Sequence, residues 1–168
     1  VTLAGVKMAT RAGHVVFLEE LIKEAMIKSK RNAAVGLGAI IYNTLAQSNI
    51  KTVSFSWERA LNAEGNSAPY VQYGYVRAMS ILKKAGKSPA LEGQLPRVSG
   101  HEAKLIKLAA LFPELVKTAQ KLNEPHIIAT FLNVLVQEFN RFYNANPVLK
   151  ADEPTKNFRL LLTKVVAQ

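Results

Sequence analysis

Residues 66–86, NSAPYVQYGYVRAMSILKKAG, decide the fold of this chain. Asn66 or Ser67 supplies a side-chain oxygen to cap a helix. Pro69 falls in the first turn, where its missing N–H does no harm. Gly86 gives a stop. At about 100° per residue, Val71, Tyr75, Ala78 and Leu82 share one face, which reads as core. Tyr70, Tyr73, Arg77, Ser80 and Lys84 gather on roughly the opposite face.

Helical signals continue downstream. Residues 86–98 are rich in Gly, Pro and Ser and read as a loop. Ser99 or Gly100 opens a helix through Leu111, and Pro113 opens another through about Leu122. Pro125 opens a long helix through about Asn144, which Pro147 blocks from continuing. Asp152-Glu153-Pro154 starts a last helix, still amphipathic at Gln168. Upstream the reading is mixed. Val1 to Val6 has room for one strand, followed by a loop. Leu18, Leu21, Ile22, Ala25 and Met26 recur at helical spacing, to about Ser29. Asn32 caps a second helix over about 33–46, in which Gly36 and Gly38 point to close packing. Val53 to Phe55 fits a short strand, and Ser56 caps a short helix through Leu61. The chain is therefore expected to be mainly α with a short α/β start.

Composition bounds the function. The 168 residues are 49% hydrophobic, enough for a packed core. Twenty-two Lys and Arg against 12 Asp and Glu give a net +10, which favours nucleic acid or another polyanion as partner. There is no cysteine, so no disulfide or thiolate metal site, and the three histidines, His14, His101 and His126, are far apart, which argues against zinc. No run of about 18 apolar residues marks a membrane span. The chain begins at Val1, with no leader pattern, and reads as a piece of a longer protein.

Two helices carry residue types suited to single-stranded RNA. Tyr70 and Tyr73 stand among Arg77 and Lys84; aromatic rings stack on unpaired bases and cations neutralise the flanking phosphates. A tyrosine closing the core beside solvated cations would leave the same pattern. On the long helix, Ile127, Ile128, Phe131, Leu132, Leu135, Phe139 and Phe142 fill one face, and Asn133, Gln137, Asn140, Arg141 and Asn144 the other, with Tyr143 at the boundary. Amides donate and accept, so this face suits either base edges or plain solvent. Lys28, Lys30 and Arg31 end the first helix, where cations suit the dipole as well as they suit RNA. His101 and His126 read as exposed first-turn residues, and Trp57 as core. Ser/His/Asp or Cys/His arrangements, P-loops and metal-ligand spacings are absent.

One further stretch, Lys7-Met8-Ala9-Thr10-Arg11-Ala12-Gly13, sets two cations around a methionine in a loop that closes on glycine. Positioned cations of this kind stabilise charge on a departing pyrophosphate; an ordinary basic turn would look alike. KMATRAG resembles the KMSKS-type loop of class I aminoacyl-tRNA synthetases, in the form used by arginyl-tRNA synthetases. The resemblance extends in order through HVVFLEELIKEA (14–25), AVGLGAIIYNTL (34–45), FSWERALNAEGNSAPYVQYGYVRAMSIL (55–82) and EPHIIATFLNVLVQEFNRFYNANPVL (124–149). It covers most of the chain outside residues 86–98. Thr10 stands where a full KMSKS loop has its second lysine, and Ala9 and Ala12 replace a serine and a lysine of the KMSTRKG form.

The resemblance implies a helical bundle of the class I synthetase anticodon-binding type, often called DALR, preceded by a short α/β remnant of the catalytic domain. It places the boundary near residue 56: 1–56 as the end of the catalytic domain with the signature loop, and 57–168 as the anticodon-binding domain, cut short at its C-terminus. It implies arginine–tRNA ligase activity in the parent, with ATP, Mg2+, L-arginine and tRNA(Arg) as its cofactors and partners, and a cytoplasmic monomer without a membrane. Lys7 and Arg11 are the implied catalytic cations, and Lys7, Met8 and Thr10 the implied ATP contacts. Tyr73 and Tyr143 match family positions that contact the anticodon loop, with Gln72, Arg77 and Asn140 beside them. The chain alone is expected to bind tRNA weakly, hold no cofactor and catalyse nothing. Another class I synthetase, such as cysteinyl, and a noncatalytic tRNA-binding module are the alternatives.

Overall fold

A computed structural model describes residues 2–3, 6–7, 17–86 and 96–168, with the backbone alone at 2–3 and 6–7. The elements run β1 (Thr2–Leu3), β2 (Val6–Lys7), α1 (Leu18–Lys28), α2 (Ala33–Leu45), β3 (Ser54–Phe55), α3 (Trp57–Ala60), α4 (Ala68–Ala85), α5 (Gly100–Leu122), α6 (His126–Ala145) and α7 (Glu153–Ala167). The chain divides into two compact units: residues 1–72 with 117–133, and residues 73–116 with 134–168.

In the first unit the strands form a small sheet in the order β2-β1-β3. The expected single strand over residues 1–6 is instead two: β1 pairs antiparallel with β2, Leu3 opposite Val6, and parallel with β3. Lys7 therefore has its backbone in a strand rather than in the loop. Helices α1 and α2 meet where a Cβ on Gly36 would come within 2.9 Å of both the Ala25 carbonyl and Ser29 Oγ, so the expected close packing is present. Ala39, Phe55 and Ala60 form the core there, and Trp57, half-buried, stands edge-on to Phe55 with centroids 4.8 Å apart. Asn32 Oδ1 accepts from Val35 N at 3.2 Å and caps α2, and Ser56 Oγ accepts from Arg59 N at 3.4 Å and caps α3. The basic cluster after α1 ends a helix: Lys30 (φ 53°) and Arg31 (φ 62°) adopt the left-handed conformation, and Arg31 N closes back on the Met26 carbonyl at 2.7 Å.

The phenol of Tyr42, with Asn66 Oδ1 and the Ala129 carbonyl (3.0 Å) in reach, joins α2 to the segments before α4 and on α6. Burial pushes its pKa up to about 12, so it stays protonated at neutral pH. Glu124 accepts from Asn49 N at 3.3 Å and takes His126 Nδ1 at 2.8 Å. His126, expected as an exposed first-turn residue, is in the first turn but half-buried against that carboxylate.

The second unit packs Ala78 and Ile81 of α4, Leu105 of α5, Phe139 and Phe142 of α6, and Phe158 and Leu160 of α7. The buried line of α4 is not the expected one: Tyr75 is 52% exposed, and the buried side carries Gly74, Ala78 and Ile81. A Cβ on Gly74 would lie 2.7 Å from Val136 Cγ1, so the missing side chain permits the approach of α6. The spacing of larger side chains selects Tyr75 and skips Gly74, whose small size is what matters.

Helix α5 is a second correction. Pro113 was expected to start a new helix; the helix runs unbroken from Gly100 to Leu122 with Pro113 inside it. Proline removes the N–H that would reach the Ala109 carbonyl. Leu111, Phe112 and Pro113 are exposed, so water has access to this turn. At the start of α5 Ser99 and Glu102 cap each other: Glu102 Oε2 accepts from Ser99 N, and Ser99 Oγ from Glu102 N at 3.4 Å.

Two buried carboxylates anchor the unit. Glu102 is 1% exposed, and its Oε1 takes Arg159 Nε of α7 at 2.7 Å. Glu138 is 5% exposed, with His101 Nδ1 at 2.7 Å and Arg141 Nη1 at 3.4 Å. His101 is thus a half-buried partner of a carboxylate, not the free first-turn residue expected. Burial pushes both glutamates up. For Glu102 the Arg159 and Ser99 hydrogen bonds outweigh it, and for Glu138 the His101 hydrogen bond and the charge of Lys104; both settle below the usual carboxylate range. Among the described residues no helix is long and apolar enough to cross a membrane.

Candidate nucleic-acid interface

Tyr73 and Arg77 stand one turn apart on α4, and Asn140 and Tyr143 one turn apart on α6. The second unit brings all four together. Arg77 Nη2 donates to the Tyr73 phenol oxygen at 2.9 Å, and Nη1 donates to Asn140 Oδ1. The guanidinium carbon lies 4.6 Å from the Tyr73 ring centroid and 4.8 Å from that of Tyr143, within cation–π range of both. One arginine therefore ties the two aromatic rings into a single cluster. The rings stay accessible, Tyr73 at 55% and Tyr143 at 41%.

The cluster forms one wall of a cleft of about 670 Å³. Lys84 and Ser80 continue the α4 wall, and Asn144 and Lys150 lie on the other side. No carboxylate among the described residues lines the cleft. Aromatic faces, a fixed guanidinium and two further lysines match what an unpaired nucleotide run requires: planar surfaces for bases, positive charge for phosphates.

The other expected site residues fall elsewhere. Gln72, next to Tyr73 in sequence, belongs to the first unit: its Nε2 donates to the Ala34 carbonyl at 2.8 Å, so the amide is committed to α2. Asn133 is half-buried with Oδ1 enclosed and unpartnered, not part of an open amide face. The side chains of Lys7, Met8, Thr10 and Arg11 lie outside the described residues. Lys150 was missed; it stands alone after Pro147 without any periodic pattern, and only the turn between α6 and α7 brings it to the cleft. Among the described residues no group of three or more His, Asp or Glu converges as a metal site.

Comparison with known proteins gives the family. Residues 71–168 match the DALR anticodon binding domain. The arginine–tRNA ligase of Thermococcus sibiricus is 44% identical over 84% of this chain and 23% of its own length, and that of Alkaliphilus metalliredigens is 36% identical over 100% of this chain and 32% of its own. The chain thus spans about a quarter to a third of the curated relatives it matches. Among solved structures, Thermus thermophilus arginyl-tRNA synthetase superposes with a TM-score of 0.87 and 29% identity, over 98% of this chain and 31% of that one. The Plasmodium falciparum enzyme gives a TM-score of 0.77 and 27% identity, over 91% and 31%. The match to the domain covers more than half of the chain and includes Tyr73, Arg77, Asn140 and Tyr143, so this chain belongs to the DALR anticodon-binding family.

Proposed function

We propose that this chain is the part of an arginine–tRNA ligase that grips the anticodon loop of tRNA(Arg). The observation that carries the reading is the Arg77 guanidinium held between two exposed tyrosine rings in a cleft that no carboxylate among the described residues lines. Tyr73 and Tyr143 stack on unpaired bases; Arg77, Lys84 and Lys150 meet phosphates; Asn140 fixes the arginine. The matched relatives named above are arginine–tRNA ligases, which favours arginine over cysteine as the parent's amino acid. Residues 57–168 act as the anticodon-binding domain and residues 1–56 as the end of a catalytic domain. In the parent, a cytoplasmic enzyme, Lys7, Met8, Thr10 and Arg11 meet ATP and its Mg2+, with Lys7 and Arg11 facing the departing pyrophosphate. L-Arginine is bound by parts of the parent outside this chain.

The test is direct binding of the chain to tRNA(Arg) and to the same tRNA with a foreign anticodon, followed by fluorescence anisotropy. The chain should prefer its own anticodon. Tyr73→Ala and Tyr143→Ala should each weaken binding about 5- to 150-fold, from a stacking contribution of about 1–3 kcal/mol per base. Equal binding to both tRNAs, unchanged by either substitution, would refute the assignment.

A further inference from the structure

Helices α5 and α6 enclose a second, smaller hollow of about 250 Å³ in the same unit. Lys104, Lys107 and Arg141 line it over a floor that includes Leu108, Leu111 and Val134. Among the described residues its one lining carboxylate is Glu138, buried, engaged by His101 and Arg141, and under the charge of Lys104. Three cations less one carboxylate leave the lining side chains at a formal +2. Lys104 and Lys107, at i and i+3, project from one side of α5, and both are exposed.

This hollow and the cleft are both built on α6. Arg141 is adjacent in sequence to Asn140, which holds Arg77. Asn140 thus holds a lining residue of the cleft while Arg141 lines the hollow, on a helix about 10–12 Å across with its side chains. We propose that Lys104, Lys107 and Arg141 form a second phosphate-binding patch, taking the backbone of the RNA whose bases enter the Tyr73–Tyr143 cleft. The proposal rests on the RNA-binding reading above and extends its footprint over α6 onto α5. Charge complementarity and the helix shared with the cleft favour RNA over an acidic protein segment, which would have no use for the stacking rings of α4 and α6.

The experiment compares the unmodified chain, Lys104→Ala/Lys107→Ala and Tyr73→Ala/Tyr143→Ala for binding to an anticodon stem-loop of tRNA(Arg), by anisotropy over a salt series. Circular dichroism confirms that each variant is folded. The lysine variant should bind more weakly and lose about 1.4 from the magnitude of the slope of log K against log salt, at about 0.7 per single-strand phosphate contact. The tyrosine variant should lose affinity with its slope unchanged. Should the lysine variant match the unmodified chain while the tyrosine variant fails to bind, the second patch is refuted and the cleft stands. If neither variant differs, both readings fall. A polyglutamate peptide serves as the other arm: if the lysine variant loses that peptide but keeps its RNA slope, the patch is a protein-docking site and the proposal is wrong.

Discussion

Arg159 of α7 donates from Nε to Glu102 Oε1 of α5 at 2.7 Å, and it reaches the Pro147 carbonyl with Nη1 at 2.8 Å. With Glu102 almost fully enclosed, the pair and the Ser99 cap satisfy a charge that water cannot reach. Removing one partner is therefore more harmful than removing both. Arg159→Met should cost about 3–5 kcal/mol in urea unfolding. The double variant Arg159→Met/Glu102→Gln should recover a substantial part of that loss. If Arg159→Met costs less than about 1 kcal/mol, the carboxylate is not dependent on this partner.

Acid should weaken the chain through the same two glutamates. Both carboxyls are held below their ordinary value in the folded chain, against about 4.3 when unfolded. Their contribution is complete above the unfolded value and disappears as pH falls through the lower folded one. Urea midpoints should therefore drop on going from pH 6 to pH 3. Glu138→Gln should flatten part of that fall, and an unchanged pH profile in this variant would remove Glu138 from the account.

Gly36 and Gly38 of α2 should respond differently to alanine. At Gly36 the new methyl meets the fixed carbonyl of Ala25 and should cost about 1–3 kcal/mol. At Gly38 it meets Gln72 Nε2, the tip of a flexible side chain, at 2.6 Å. Moving that tip forfeits the bond to Ala34, about 0.5–1.5 kcal/mol, and the helix gains about 1 kcal/mol from alanine. The net change should be within about 1 kcal/mol of zero. Thermal unfolding of the two variants side by side checks the contrast.

Pro113→Ala distinguishes one helix from two. Inside a continuous α5, alanine restores the bond to the Ala109 carbonyl and removes a penalty of about 3 kcal/mol, less about 0.4–1 kcal/mol for the looser unfolded chain. A gain of roughly 2 kcal/mol is expected. Destabilisation would show that the proline starts a helix of its own.

Much of this was readable in the sequence because it is local. Asn32 and Ser56 announced their helices, and Pro69 and Gly86 bounded α4, since each acts on neighbours a few residues away. Tyr73, Arg77, Asn140 and Tyr143 were legible as residue types on helix faces; that one guanidinium would join all four was not, because this depends on how α4 lies against α6. The misreadings share a cause. Helical spacing puts Tyr75 on the core face, the local preference of Pro113 suggests a new helix, and His101 reads as an exposed first-turn residue because Glu138 lies 37 residues away. In each case a partner remote in sequence, or exposure to solvent, settled the outcome.

Gly74 acts as a gauge for the cleft. The hydrogen on its Cα, where any other residue carries a carbon, fixes how near α6 stands, and Val136 has little freedom to retreat because it branches at Cβ. Tyr73 and Arg77 sit on one side of that contact, Asn140 and Tyr143 on the other. A single methyl at position 74 would widen the jaw from behind and slacken the grip of Arg77 on Asn140 and Tyr143, with every residue of the cluster still in place.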